Sequence, residues 1–343
     1  MSASIKDIAK ALGMSISTVS LALNDKPRVS DETRALVKAK AKELNYVKNG
    51  IASDLQRKRT NIILFVVNDA SRSFFSSIIK QLQIATANFG YDLIICTTYG
   101  DHLSTVKRFL QEHRADAAII YTSTVPNTLI QEYATPDFPI TVIGRKVEGD
   151  NIYSINAEPD AFSEVTQYLI DTGHKNIAFV KGSKVSLNTS RSFNQYKNTL
   201  EKNGISFNPN IVYDANGASY KHGYEITKEI IKDINKLDAI QYSTDDVAIG
   251  GLLCLKDSNI KVPEQISIAG NNNIPESALI YPGLTTYGST SDDYPYYEGI
   301  VHYLITLIEK NENYENIAQQ IRDHIGNYGS KSQLIIRESV KKR

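Results

Sequence analysis

The sequence predicts an all-α N-terminal domain followed by an α/β core of two similar lobes, each built on a parallel sheet. Three short helical patterns occupy residues 1–49 of the 343-residue chain. From residue 61, apolar runs typical of buried strands alternate with amphipathic helical stretches, in two successive series. A polar stretch at 50–60 separates these patterns and indicates a linker. The hydrophobic content of 41% is sufficient for a packed core.

A helix-turn-helix pattern opens the chain. Ser4 can cap a helix at 5–12, Gly13 permits a tight turn, and Ser15 can cap a second helix at 16–24. A short helix, a three-residue turn and a second helix with a polar N-terminal end can be set into the major groove of DNA. In that arrangement the second helix contacts base edges.

A third helix is expected after Ser30, which precedes two acidic residues that suit a helix N-terminus. The side chains expected to face the interior of the three-helix domain are Ile5, Ile8, Ala9, Leu12, Val19, Ala22, Leu23, Ala35, Leu36, Ala39 and Leu44. Tyr46 and the residues after it leave the third helix.

The charge of the chain is unevenly distributed although its net charge is zero. Residues 1–60 contain twelve Lys and Arg but only six Asp and Glu, so the remaining chain carries an equal acidic excess. A basic N-terminal segment, or basic head, suits a module that binds phosphates. The acidic remainder of the chain is not expected to bind the same partner.

Composition also argues against several classes of protein. Cys96 and Cys254 are too few for a disulfide framework, and no Cys/His cluster has zinc spacing, so we expect neither a metal nor a cofactor. No apolar run approaches the roughly 20 residues that a membrane span needs. The N-terminus lacks the pattern of a signal peptide. We therefore expect a cytoplasmic protein without a membrane partner.

The core pattern is that of parallel sheets covered by helices on both faces. Strands are expected at 62–67, 93–96, 117–121, 140–143, 177–180, 211–213, 239–241 and 266–269. Helices are expected at about 74–88, 104–113, 160–171, 190–203, 219–233 and 245–258. Because ligands of such folds bind at the carboxyl ends of the strands, the expected binding site is a cleft between the lobes.

Eight segments, spread from end to end, match one known family in its own order. They are IKDIAKALGMSISTVSLALN at 5–24, RVSDETRALVKAKAKELNYVKN at 28–49, FFSSIIKQL at 74–82, GYDLIICTT at 90–98, TGHKNIAFVKG at 172–182, VPEQISIAG at 262–270, LTT at 284–286 and LIIRES at 334–339. With these segments the chain resembles the LacI/GalR family of bacterial transcription regulators. The first two segments are together the most specific.

The resemblance implies a core like that of periplasmic binding proteins, a homodimer, a pseudo-palindromic double-stranded DNA operator and a small-molecule effector in the interlobe cleft. It implies a helix-turn-helix DNA-binding domain at 1–49, a hinge helix or linker at 50–60 and an effector-binding and dimerisation core at 61–343. Within the core, the N-terminal lobe is expected at about 61–158 and 287–320, and the C-terminal lobe at about 159–286 and 321–339.

The resemblance also implies which side chains contact DNA. The side chains presented to the major groove would be Ile16, Ser17, Ser20 and Leu21. Serine hydroxyls can bond to base edges or phosphates, and isoleucine can touch a thymine methyl group. The family often has Arg at the position of Leu21, so a bidentate guanine contact is lost there. The expected positioning residues are Thr18, Asn24, Ser30, Thr33, Tyr46 and Asn49. Alternatively, the first two only cap helices and the tyrosine belongs to the core.

Residues 51–56 match the hinge helix of the family, which is helical on the operator. Leu55 is the expected wedge that enters the minor groove and unstacks the central base step, with Ala52 beside it. The alternative is a loose linker in which Leu55 packs on the core. Arg59 ends a basic run at 57–59 that is expected to contact phosphates but is equally typical of a solvated tract.

The cleft departs from the family pattern where sugars and purines are commonly bound. The positions of a family Arg, Asp, aromatic residue and carboxylate are occupied by Ser192, Asn272, Ala218 and Gly144. Charged hydrogen bonds contribute about 1.5–3 kcal/mol each, so these losses argue against a standard sugar pocket. The residues expected to contact an effector are Phe74, Arg145, Arg191, Ser192, Tyr220, Asp245 and Asn272, although the phenylalanine equally suits a core helix.

Two further segments fit either a polar cleft or another surface. The amides at 271–273 and the tyrosine-rich stretch at 287–297 could line a cleft that takes an atypical, carbohydrate-related effector. The tyrosines are equally compatible with a dimer interface or an exposed surface.

The favoured hypothesis is a sequence-specific DNA-binding regulator, acting as a repressor, whose DNA affinity changes when its lobes reorient. The alternative within this class is control by a protein co-regulator instead of a small molecule. A solute-binding protein would share the lobes but not the basic head. No enzyme is expected, because no nucleophile–base constellation or phosphate loop is visible in the sequence. Four residues follow LIIRES, which favours a dimer over a tetramer.

Overall fold

The structure, a computed structural model, describes residues 3–47, 59–155, 160–182, 189–290, 294–310, 313–328 and 332–343. Contacts within the chain define two compact units, residues 1–60 and residues 61–343. Among the described residues, no helix has both the length and the apolar character needed to cross a membrane.

The N-terminal unit consists of α1 (Ile5–Leu12), α2 (Ile16–Leu23) and α3 (Asp31–Glu43). At the start of α1, Ser4 is the N-cap, and the Asp7 carboxylate accepts hydrogen bonds from the Ser4 amide at 2.8 Å and the Ser4 hydroxyl at 2.7 Å. Gly13 ends α1 with a φ of 63°, a left-handed conformation that favours glycine and turns the chain. Ser15 then begins α2 by accepting a hydrogen bond from the Thr18 amide at 3.0 Å.

Helix α3 turns a different face to the interior from the one the sequence predicts. Val37 and Ala41 are buried, whereas Ala35 and Ala39 are exposed and Leu36 is 49% exposed. The predicted stripe is therefore wrong at these three positions, whereas its fourth member, Leu44, does pack against the core. Alanine side chains bury too little apolar area to decide the orientation of a helix, and valine with the alanine one turn later fills the space against α1 and α2.

The first lobe begins with a five-stranded parallel sheet of order β2-β1-β3-β4-β5. Its strands are β1 (Ile62–Val67), β2 (Asp92–Thr97), β3 (Ala117–Tyr121), β4 (Ile140–Ile143) and β5 (Ile152–Ile155). Its first helices are α4 (Ser73–Asn88), α5 (Ser104–Gln111) and α6 (Asn127–Tyr133). Nearly every residue of β1 is buried, which explains the unbroken apolar run in the sequence.

The second lobe contains a four-stranded parallel sheet of order β7-β6-β8-β9. In chain order its elements are α7 (Ala161–Asp171), β6 (Ile177–Lys181), α8 (Thr189–Lys202), β7 (Val212–Asp214), α9 (Tyr220–Ile231), β8 (Ala239–Tyr242), α10 (Asp245–Asp257), β9 (Ser267–Ala269) and α11 (Glu276–Leu279). The two parallel sheets confirm the predicted α/β architecture of the core.

The chain then crosses between the lobes, through β10 (Thr286–Ser289), α12 (Tyr294–Glu309), α13 (Tyr314–Tyr328) and β11 (Ser332–Ile335). Strand β10 pairs antiparallel with β11. Tyr287 packs in the apolar core of the second lobe, whereas Ala318 and Ile325 pack in that of the first. The predicted start of the first-lobe segment at 287 is therefore wrong, because β10 belongs with the second lobe. The predicted boundary between 320 and 321 is also wrong, because α13 continues through it and keeps one face on the first lobe.

Candidate DNA-recognition helix and interlobe cleft

Helix α2 directs its N-terminal side chains away from the interior of its unit. Val19 and Ala22 are buried on the inner face. The four residues expected to contact bases lie on other faces: Ile16, Ser17, Ser20 and Leu21. The first two are exposed, with Ile16 at 47%, and the other two are partly exposed. A helix with this distribution can approach a groove without disturbing the three-helix core.

Hydrogen bonds within the unit hold several of the expected positioning residues. The Thr18 hydroxyl lies 2.8 Å from the Ser15 hydroxyl, and the Thr33 hydroxyl lies 2.9 Å from that of Ser30. The side-chain amide of Asn24 donates to the backbone carbonyl four residues earlier, at 2.8 Å. Ser30 and Asn24 are cap residues of α3 and α2, and the two threonines contact the N-cap serines from the first turns of these helices. These contacts fix the helix termini that a DNA backbone would meet.

The remaining expected DNA contacts lie near or beyond the end of the three-helix core. Tyr46 packs against that core from a partly exposed position. Asn49, Ala52 and Leu55 lie outside the described residues. Arg59 is described and partly exposed. The DNA contacts of all five stay predictions.

A cleft of about 730 Å³ lies between the two lobes of the core. The loops after β1, β2 and β3 line it from the first lobe, and those after β6, β7, β8 and β9 line it from the second. The carboxyl ends of both parallel sheets therefore meet at one cavity, which is where open α/β sheets bind ligands. The volume lies within the range of small-molecule sites.

The first-lobe wall of the cleft is aromatic. The ring of Phe74 lies edge to face with those of Phe75 and Tyr121, with centroids 5.2 Å and 5.9 Å apart. Phe75 and Tyr121 also contact each other, at 5.5 Å. Phe162 lines the cleft from the second lobe. Such rings offer flat apolar surfaces on which a ligand ring can stack.

Polar groups complete the lining, and two of them have hydrogen-bonding capacity to spare. The Ser243 hydroxyl and the Asn271 side-chain oxygen are buried and have no hydrogen-bond partner among the described residues. Buried polar atoms are nearly always partnered in folded proteins, so a bound molecule can supply the missing partner. Asp69, Asp101 and Arg72 contribute charged groups to the described lining.

Two family descriptions match the two units. "Bacterial regulatory proteins, lacI family" matches residues 4–49. "Periplasmic binding proteins and sugar binding domain of LacI family" matches residues 60–292. The chain belongs to the LacI family. It is accordingly a DNA-binding transcription regulator with an N-terminal helix-turn-helix domain, as the sequence predicts.

LacI-family relatives match over most or all of the chain. The transcriptional regulator RegA of Clostridium saccharobutylicum is 28% identical, covering 99% of this chain and 100% of that protein. RegA of Clostridium acetobutylicum is 31% identical, with 83% and 87% covered. Catabolite control protein A of Priestia megaterium is 27% identical, also with 83% and 87% covered. These relatives are regulators of transcription rather than enzymes.

Solved structures share the LacI-family fold. The lac repressor dimer bound to operator and the anti-inducer ONPF has a TM-score of 0.73 at 19% identity, covering 99% of this chain and 100% of that one. A LacI-family regulator from Silicibacter pomeroyi also has a TM-score of 0.73, at 24% identity, with 99% of both chains covered.

The structure brings only some of the expected LacI-family effector residues to the cleft. Those that line it are Phe74, Ser192 and Asn272. Those not among the described lining residues are Arg145, Arg191, Tyr220 and Asp245. Arg191 and Ser192 are neighbours, but only Ser192 lines the cleft, because successive side chains on a helix point about 100° apart.

Two of the residues outside the lining are engaged elsewhere. The Arg145 guanidinium donates to the Val125 carbonyl at 2.5 Å, and its partial burial lowers the pKa of Arg145. The Tyr220 hydroxyl lies 3.5 Å from the Ser73 hydroxyl, at a contact between the lobes.

Asp245 is also withdrawn from the cleft, because it is fully buried beneath the loop that follows β9. Its carboxylate accepts hydrogen bonds from the Thr286 hydroxyl at 2.6 Å and from the Ile274 amide at 3.0 Å. Burial raises the pKa of Asp245 to about 7. Asp245 therefore joins α10 to the cleft loop and to β10.

Several residues that line the cleft were not predicted from the sequence, including Asn68, Asp69, Asp101, Asn216 and His222. The first two follow β1 directly, and Asn216 follows β7 within two residues. These three residues could have been placed at the cleft from the sequence, because they follow the carboxyl ends of predicted parallel strands. Asp101 and His222 stand farther along their loop and helix, where that signal is weaker.

Proposed function

We propose that this LacI-family chain acts as a repressor. In this proposal a cytoplasmic homodimer binds a pseudo-palindromic operator and responds to a small molecule in the interlobe cleft. The observation that carries the proposal is α2, whose N-terminal side chains are exposed in a unit with twice as many basic as acidic residues. The same chain holds a cleft of about 730 Å³ at the carboxyl ends of two sheets.

The basic head favours DNA through its phosphates, and α2 supplies sequence preference. Lys and Arg side chains neutralise backbone charge and release counterions, which gives affinity that falls with salt. The exposed hydroxyl of Ser17 and the partly exposed hydroxyl of Ser20 can then bond to base edges. Leu21 cannot donate a hydrogen bond, so operator preference at its base rests on apolar contact.

The cleft supports a polar effector of about the size of a sugar or nucleoside. Its aromatic wall can stack on a ligand ring. The Ser243 hydroxyl can donate or accept a hydrogen bond, and the Asn271 side-chain oxygen can accept one. Among the described lining residues, Asp69 and Asp101 bring negative charge, while Arg72 is paired with Asp246 at 3.3 Å. Two acidic side chains beside one arginine that is already paired would repel a phosphate group, so the lining favours an uncharged effector over a phosphorylated one.

The experiment is selection of duplexes from a random library with the full chain, followed by titration of the selected duplex with variants. Ser17→Ala is expected to weaken binding of the dimer to the selected duplex by about thirtyfold or more, because one base contact of ~1–3 kcal/mol is lost in each of the two subunits. Binding to unrelated duplexes should change little. The selected sequences should form two inverted half-sites.

Ser104→Ala is the matched control, because Ser104 is an exposed serine at the first position of α5 in the core. It should leave both affinities unchanged. If Ser17→Ala also leaves the affinity for the selected duplex unchanged, α2 does not contact bases through this residue. If the library yields no preferred sequence, the proposal of an operator-binding repressor fails.

A further inference from the structure

Two residues at the start of α4 in the first lobe contact acidic side chains of the second lobe. Arg72 Nη2 lies 3.3 Å from Asp246 Oδ2. The Ser73 hydroxyl donates to Glu276 Oε1 at 2.9 Å. Asp246 and Glu276 stand in the first turns of α10 and α11. The contact therefore joins the end of one helix in the first lobe to the ends of two helices in the second.

Burial makes the ion pair between Arg72 and Asp246 unlike the surface pairs of this chain. The Asp246 side chain is only 4% exposed and that of Arg72 is 20% exposed. Burial raises the pKa of Asp246, while the charge and hydrogen bond of Arg72 lower it. Removing one partner of a buried pair leaves an uncompensated charge, which costs far more than an exposed pair contributes.

The contact is nevertheless incompletely satisfied. Arg72 Nε and Glu276 Oε2 are buried and have no hydrogen-bond partner among the described residues. Each such atom opposes the arrangement that buries it, by about 1–3 kcal/mol. Desolvation of these groups therefore opposes the attraction across the contact, as it does in buried ion pairs generally, and this opposition suits a contact that opens and closes.

We propose that Arg72 and Ser73 form an interlobe clasp with Asp246 and Glu276, and that this clasp sets the fraction of ligand-free molecules whose lobes are closed. Arg72 also lines the cleft, so one side chain belongs both to the clasp and to the ligand site. The consequence for DNA rests on the proposed function: since lobe arrangement and operator affinity are linked, weakening the clasp changes the operator affinity of the ligand-free protein.

The test measures the distance between the lobes in the full chain without ligand. Spin labels are placed on cysteines that replace Lys107 on α5 and Lys202 on α8, which are exposed, and labelled chain is diluted with unlabelled chain. Double electron–electron resonance then gives the populations of closed and open lobes. Arg72→Met is expected to lower the ratio of closed to open molecules by on the order of tenfold or more.

Two further variants separate the clasp from general damage to the fold. Asp246→Asn added to Arg72→Met should restore much of the closed population, because a neutral amide no longer requires the cation. Ser73→Ala removes the 2.9 Å hydrogen bond to the carboxylate without removing a charge, and should lower the ratio by about tenfold. An unchanged distance distribution in Arg72→Met, or no recovery in the double variant, would overturn the clasp.

Asp137→Asn is the matched control, because it removes an exposed ion pair with Lys310 at 2.8 Å that lies within the first lobe. It should leave the distances unchanged. Operator binding is measured on the same proteins. A changed distance with unchanged operator affinity supports the clasp and refutes its effect on DNA binding. A chain that selects no duplex refutes the proposed function, while the distances still decide the clasp.

Discussion

The buried carboxyl of Asp245 makes the stability of the core depend on pH. Its pKa is raised by burial to about 7, from 3.8 for the exposed group. Between these values the folded protein holds a proton that the unfolded chain has released, so stability is greatest below the unfolded pKa. Stability then falls as pH rises through this window, and the contribution levels off above about pH 7.

Asp245→Asn should remove this part of the pH dependence. The amide oxygen can still accept from the Ile274 amide, and the Thr286 hydroxyl can rotate to accept from the amide nitrogen. We expect the stability of the wild type, relative to the variant, to fall by on the order of 2 kcal/mol from pH 5 to pH 7. Urea midpoints at fixed protein concentration measure this, with the exposed Asp171→Asn as control. Parallel pH profiles for wild type and Asp245→Asn would contradict the assignment.

Side-chain direction is the part of the site that could not be predicted residue by residue. Phe74 and Asn272 could be placed at the cleft because they follow strands at the carboxyl edge of a sheet. Arg145 also follows a strand, but its guanidinium turns to the Val125 carbonyl. That choice depends on a neighbour distant in the sequence, and no local pattern indicates it.

At the scale of elements, buried strands were the most predictable part of the fold and helix faces the least. The expected bounds of β1, β3 and β4 agree with the structure because two covered faces require an unbroken apolar run. The buried face of α3 was predicted wrongly, because alanine side chains bury too little apolar area to fix the orientation of the helix. The crossover strands β10 and β11 escaped prediction because each has only four residues and neither carries an unbroken apolar run.

The hinge segment at 51–56 carries a prediction from the sequence alone, since it lies outside the described residues. Leu55→Ala should weaken binding to the selected operator by on the order of tenfold, because a wedge that unstacks a base step contributes only where the bent complex forms. Binding to unrelated duplexes should change much less. Titrations with both duplexes measure the ratio, and Leu36→Ala is the matched control, because this exposed leucine of α3 is not assigned a DNA contact. Equal losses on both duplexes would refute the wedge.

The whole molecule exposes large apolar side chains on both lobes, which supports a homodimer. In the first lobe Ile84 on α4 and Ile95 on the edge strand β2 are 44% and 41% exposed. In the second lobe Leu279 and Tyr281, at and beyond the end of α11, are 82% and 89% exposed. Single exposed apolar side chains are common, but two large ones only two residues apart, as Leu279 and Tyr281 are, favour a surface that another molecule covers. A twofold dimer would also match an operator with inverted half-sites.

Replacing both Leu279 and Tyr281 by Asp should weaken dimerisation by at least tenfold, because truncating a buried interface anchor costs about 2 kcal/mol or more and a charge adds to that cost. Sedimentation velocity over a range of concentrations measures the dissociation constant. Ile317→Asp is the matched control, since this isoleucine is 36% exposed on α13 and should leave the dimer intact. The dimerisation variant should also bind a full operator with the affinity of a half-site. Retention of the dimer in the double variant would exclude this surface as the interface and direct attention to Ile84 and Ile95.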